Sequence, residues 1–180
     1  MTERVRYHAE VALPGLVVGV VAGLMAGGLT LLAGHRPGWA AISALSLAVP
    51  MGLLGAGYGV LLGRNVFQPG VFAPAGLYWL IGFPISRLVQ ETVTSTVILG
   101  RATLTEDLPA FLAYQAIVSL GFAIGFVWMH ERLAPHWFMH VAGRNPVARE
   151  VLDRYIGHAE ALWRVRGRRR ALRRGEKGAG

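Results

Sequence analysis

The sequence predicts an all-α integral membrane protein, a bundle of four transmembrane helices followed by a basic amphipathic helix on the cytoplasmic side. Three observations predict it. First, no Asp, Glu, Lys or Arg occurs in residues 11–34, 37–63, 65–86 or 108–130, stretches of 24, 27, 22 and 23 residues. A bilayer core about 30 Å thick takes roughly 20 apolar helical residues, so each stretch is long enough to span. Second, the chain is 53% hydrophobic and 16% charged, with a mean hydropathy of +0.44. A soluble domain carries about a quarter charged residues, and four such runs leave too little polar surface to cover a soluble fold. Third, the net charge of +8 is gathered at one end. From Arg144 onward there are 11 basic and 4 acidic residues, a net of +7, against a net of +1 for the rest of the chain.

The first span covers about 11–33. Arg4 and Arg6 precede its apolar run as they would in a signal peptide, but the run is too long for one and lacks a small-x-small cleavage pattern. It is read as a retained helix. His35, Arg36, Pro37 and Gly38 form a tight turn into the second span, about 39–63, where Trp39 stands at an interfacial position. Pro69, Gly70 and Pro74 then forbid a continuous helix over residues 64–75. The third span, about 76–100, is interrupted by Pro84 and is polar in its second half. A protein of three spans with a re-entrant segment at 76–100 is therefore the competing architecture. After a loop holding Glu106 and Asp107, Pro109 suits the first turn of a fourth span, about 110–133, which is expected to stop before Pro135. Residues 1–143 form the bundle and 144–180 the tail. Asn145 is the expected N-cap of the tail helix, with Pro146 at its first position. Val147, Val151, Leu152, Tyr155, Ala159, Leu162 and Trp163 mark one apolar stripe at three- and four-residue intervals.

Orientation follows from the basic residues. With the N-terminus inside, Arg4, Arg6, Arg64, Arg132 and the tail are internal, and only Arg36 and Arg101 are external. Both termini are thus expected in the cytoplasm of a multi-pass cell-membrane protein.

Glycine is the best-patterned residue. Gly15, Gly19, Gly23 and Gly27 recur every four residues in the first span, Gly55, Gly59 and Gly63 in the second, and Gly121 and Gly125 in the fourth. Lipid tails are as apolar as leucine, so helices in bilayers associate through close backbone approach, which small residues four apart permit. These glycine-zipper grooves are expected to hold the bundle together; a homo-oligomer interface or a seat for a partner helix is the alternative.

The third span holds the intramembrane charges, Arg87 and Glu91, four apart and able to pair on one face. Ser86, Gln90, Thr94 and Ser95 extend that face. Intramembrane ionisable groups default to a functional hypothesis. Against it, polar groups near Pro84 can satisfy the backbone carbonyls that proline frees. Structural glue or docking, an ion, proton or substrate path, and a shallow interfacial position are the three readings, in that order.

His130, His136 and His140 cluster at the inner end of the fourth span, with Glu131 and Trp137 between them. His136 and His140 could share a metal on a helix, but the familiar His-Glu-x-x-His pattern is incomplete, and Pro135 is expected to break the helix from His130. An interfacial belt is the favoured reading; a metal site is a weak candidate and haem weaker still. The sequence has no cysteine, which excludes disulfides, thiolate chemistry and cysteine-based metal sites. Gly55, Gly57 and Gly59 lie inside a span and fail the dinucleotide fingerprint, and neither a phosphate loop nor a nucleophile elbow is present. No cofactor is expected.

Trp163, Arg164, Arg166, Arg168, Arg169, Arg170, Arg173 and Arg174 are the candidate anchoring residues. Anionic lipid attracts basic residues near the surface by about 1 kcal/mol each, and an acidic protein partner is the second reading. Nucleic acid is the least favoured. Grooves, a docking stripe and a basic anchor, without chemistry-bearing groups, point to a small non-catalytic accessory or scaffolding subunit of a larger membrane complex. The expected company is therefore anionic and other lipid, other membrane subunits or further copies of the chain. A small oligomeric transporter or channel with Arg87 and Glu91 in its pathway is the rival class, and a membrane-embedded enzyme is third.

Overall fold

A computed structural model describes residues 2–101 and 107–178, the side chains of 168–178 excepted. All regular structure among these residues is helical: α1 (Thr2–Leu32), α2 (Pro37–Gly63), α3 (Phe72–Leu99), α4 (Leu108–Val141) and α5 (Pro146–Gly178). The first four are long and apolar enough to cross a membrane. Helix α3 is one of them and is continuous through Pro84, so a crossing third helix is the architecture the fold supports.

Three boundaries differ from expectation, each for a local reason. Helix α1 begins at Thr2 rather than near Val11. Its first turns are gripped by the far end of the chain, where Trp137 Nε1 donates to the Glu10 carbonyl at 2.8 Å and Asn145 Nδ2 to the Tyr7 carbonyl at 2.9 Å. Helix α3 begins at Phe72 and takes Pro74 into its first turn, where a missing N–H leaves nothing unsatisfied. Helix α4 does not stop before Pro135 but runs through it to Val141. An interior proline removes one helical hydrogen bond, and here packing outweighs that cost. Ala134 and Phe138, on either side of Pro135, are fully buried against Val11, Leu62, Val141 and Val151.

The α1–α2 pair is the tightest contact of the bundle. A Cβ built on Gly15 would fall on the carbonyl of Gly55, and one on Gly55 on the carbonyl of Gly15. On Gly19 it would meet the Met51 carbonyl and on Gly23 the backbone of Ala48. On Gly27 it would lie 2.5 Å from Ala44 Cβ, and on Gly59 2.7 Å from Ala12 Cα. Gly63 is looser, 3.3 Å from Val11 and Val147 side chains. The two backbones touch from Ala12 to Gly27 of α1 and from Ala40 to Gly59 of α2, as small residues in a bilayer allow.

Gly121 and Gly125 behave otherwise. Nothing lies within 4 Å of a Cβ on either, and both are exposed. They do not pack the fold, contrary to the sequence reading. Helix α4 instead meets its neighbours through aromatic residues, with Trp79 of α3 edge-on to Phe122 and tilted against Phe126 at centroid distances of 4.7 and 4.5 Å.

Packing does not end at residue 143. Ala148 and Val151 of α5 are fully buried in the cluster with Val11 and Leu62, with Val147, Leu152 and Tyr155 partly buried around it. Asn145 caps the helix, its Oδ1 accepting from Ala148 N at 3.0 Å. Over residues 156–167 the helix is largely uncovered.

Candidate functional site

The polar residues of α3 form a ladder across three helices, at the end of the bundle away from α5. Gln90 is buried, and its Nε2 donates to the Ser43 carbonyl at 3.1 Å and to Ser43 Oγ at 2.8 Å. Thr30 of α1 reaches Ser43 Oγ at 3.4 Å, and Ser46 lies 3.4 Å from Thr94. Ser86 bonds back to the Gly82 carbonyl at 2.9 Å, and Ser95 to that of Thr92 at 3.1 Å. Buried polar groups are costly unless satisfied, and this set satisfies itself within the protein.

Arg87 ends the ladder. Its Nη1 donates to Gln90 Oε1, not to Glu91. Residues three and four apart share a helix face, so either partner was open to Arg87. The choice is made on α2, where Ser43 holds Gln90 inward, while Glu91 is exposed. Among the described residues no carboxylate pairs with Arg87, the one ion pair being Arg144 with Glu10 at 3.5 Å.

Arg87 also lines a cleft of about 550 Å³ between α1, α3 and α4. Its walls are apolar: Val21, Met25 and Leu29 of α1, Phe83 of α3, and Phe122 and Phe126 of α4, with Gly125 at the rim. A second cavity of about 460 Å³ follows the same α1–α4 seam toward α5, between Leu13, Pro14, Val17 and Leu133, His136, Trp137, His140.

The three histidines do not converge. His136 and His140 are exposed and donate Nδ1–H to their own helix, at 2.7 Å to the Arg132 carbonyl and 2.8 Å to that of His136. His130 is fully buried, its ring 5.1 Å from Tyr58 and 5.7 Å from Phe126. Neither of its nitrogens has a protein partner. No group of three metal-ligating side chains occurs among the described residues. Such a ring in an apolar cage bears a desolvation cost that phenylalanine would not. His130→Phe is therefore expected to melt in detergent at the wild-type temperature or above. A clear drop would show that the ring nitrogens hold a stabilising contact.

A cluster that the sequence did not signal lies where α5 meets the α2–α3 turn. Gly70, at φ +77°, donates its N–H to Glu131 Oε1 at 2.7 Å, and a Cβ there would strike the His158 ring. Arg154 donates to Asn65 Oδ1 and to the Leu62 carbonyl, both at 2.8 Å. Asn65 itself has φ +60°. Burial first, then the nearby Tyr58 and Glu131, push the Tyr155 hydroxyl well above the ordinary phenol range. The available signal was the pair of left-handed-tolerant residues, Asn65 and Gly70, around Pro69. Their partners are distant in sequence and were not legible.

Of the candidate anchoring residues, Trp163, Arg164 and Arg166 are exposed on α5. Arg168, Arg169, Arg170, Arg173 and Arg174 lie on the same helix, but their side chains fall outside the described residues, as does Glu106 of the α3–α4 loop.

Comparison with protein-family models, curated proteins and solved structures finds no match to this chain.

Proposed function

We propose that this protein is a small non-catalytic accessory or scaffolding subunit of a larger membrane complex. Its bundle sits in the cell membrane with both termini cytoplasmic, and α5 works as a docking arm. The observation that carries this reading is the division of α5 into a locked root and an uncovered remainder. Asn145, Ala148, Val151 and Arg154 tie the root to α1, α2 and α4. Beyond it, Ile156, Leu162, Trp163 and Val165 are 49%, 46%, 69% and 49% exposed, with Arg164 and Arg166 beside them. A rigidly held helix that leaves apolar side chains among arginines bare suits an anionic lipid surface and an acidic subunit against it.

The polar ladder supports the same reading over transport. Apart from the free edge of Arg87 its side chains are spent on one another, Arg87 and Glu91 face different surroundings, and the cleft beside Arg87 is apolar-walled. A permeation path needs polar groups facing a continuous opening.

The test is purification of the full chain in a mild detergent, with a photo-crosslinker at Leu162 and flux measured after reconstitution in liposomes. A stoichiometric protein partner, crosslinked through α5, is expected. A lone homo-oligomer that conducts an ion or solute would sink the proposal. Reporter fusions near Met1 and at Gly180 should both report the cytoplasm; opposite sides would mean that one of the four helices does not cross.

A further inference from the structure

We propose that the cleft between α1, α3 and α4 holds one anionic membrane phospholipid per chain, its phosphate on Arg87 and an acyl chain along Met25, Phe122 and Phe126. The inference is independent of the subunit reading. It starts from the guanidinium. Gln90 occupies Nη1, and no protein bond reaches Nε or Nη2 among the described residues. That free edge is the one that grips an oxyanion with two parallel hydrogen bonds. The neutral Gln90 amide cannot balance the charge, and no described carboxylate does. A cation at this depth in a bilayer is costly until it is paired or hydrated, and a phosphate drawn down to it supplies the missing charge.

The cavity fits one acyl chain of such a molecule, its second chain lying in the bilayer onto which the cleft opens. Its volume of about 550 Å³ falls in the usual range for small ligands, about 300–1,000 Å³. A partner helix about 10–12 Å across would need roughly 1,700–2,400 Å³ over four turns, more than the cleft offers. The head and tail are also ordered correctly. Arg87 adjoins the ladder through Gln90, Ser43 and Thr30, and Thr30 lies two residues from the end of α1. From there the lining continues through Met25 and Phe122 to Val18 and Phe126, deeper in the bundle and free of any other charge. Met25 is 61% exposed, so the cleft opens sideways to the bilayer.

The experiment is native mass spectrometry on the full-length protein in detergent, titrated with phosphatidylglycerol and with phosphatidylcholine of identical chains. Wild type should keep one phosphatidylglycerol more tightly than any further lipid and prefer it to phosphatidylcholine. Arg87→Gln should weaken that tightest site about tenfold, the scale of one charged hydrogen-bonded contact. The basic tail is the same in both proteins, so its own lipid binding cancels in the comparison. Gly125→Leu should also empty the site, because its side chain enters the cleft from a rim where a Cβ meets nothing. Gly121→Leu, equally unopposed but outside the lining, should leave occupancy unchanged. If Arg87→Gln fails to fold, the two glycine variants decide the matter. Equal lipid occupancy in Gly125→Leu and wild type would overturn the proposal. So would equal preference for the two lipids in wild type, or a partner helix crosslinked through Met25.

Discussion

Gly23→Leu is expected to be among the most damaging single substitutions in this protein, with Gly19→Leu close behind. At both positions a side chain would run into backbone, that of Ala48 and of Met51. Overpacking a core normally costs about 1–3 kcal/mol because neighbouring side chains turn aside. Backbone cannot do so, and the helices must part. Separation of α1 from α2 would also break the Thr30–Ser43 contact and disturb the seat of Gln90. A loss of about 3 kcal/mol or more is expected, read as a large fall in the detergent melting temperature or as failure to yield monodisperse protein. Gly121→Leu serves as the control on a helix of similar composition. It should stay within about 0.5 kcal/mol of wild type, as surface changes do. Similar losses at all three positions would show that glycine acts here through helix propensity or insertion, and the contact argument for α1 and α2 would fall.

The contrast between these glycines marks where sequence reading reaches its limit. Spacing of four identifies a small-residue face, but not whether another helix lies on it. In α1 and α2 the faces find each other because the two helices adjoin through a four-residue connection and both carry the pattern. Helix α4 carries it too, yet meets α3 through Trp79, Phe122 and Phe126, leaving its glycines bare. Arg87 shows the same limit. Glu91 and Gln90 were equally placed to receive it, and the decision came from Ser43 on another helix. The helix ends fared worst. Charge-free runs locate the middle of each span well, but α1 extends back to Thr2 and α4 through Pro135 because of packing against α5. Contacts between chain ends leave no local trace in composition. What was local, the Asn145 cap with Pro146 and Pro109 in the first turn of α4, was legible at the residue.

Asn145→Ala is expected to release the root of α5, and with it the orientation of the rest of that helix. Asn145 is fully buried and does three things at once. Its Oδ1 caps the helix through Ala148 N, and its Nδ2 donates both to the Tyr7 carbonyl and to Glu10 Oε2 at 3.1 Å. Loss of the cap alone costs about 1 kcal/mol. Leaving the Tyr7 carbonyl and the Glu10 carboxylate without their donor adds about 1–2 kcal/mol, with Arg144 still beside Glu10 to limit the loss. The total, about 2–3 kcal/mol, is concentrated at one joint. It should therefore appear locally before it appears globally. Amide exchange across residues 146–156 should quicken, and trypsin should cut after Arg149 and Arg154 while the four long helices persist. Asn145→Asp separates the two roles. It keeps an oxygen for the cap but turns a donor into a second carboxylate against Glu10. If the cap is what holds the root, Asp should be nearly silent; if the tie to α1 holds it, Asp should loosen the joint as much as Ala or more. The geometry favours the second outcome, because Tyr7 and Glu10 lie more than 130 residues away in sequence and no other side chain hydrogen bond joins the first turns of α1 to the start of α5 among the described residues. Unchanged exchange in both variants would place the joint in the apolar cluster around Val151 instead.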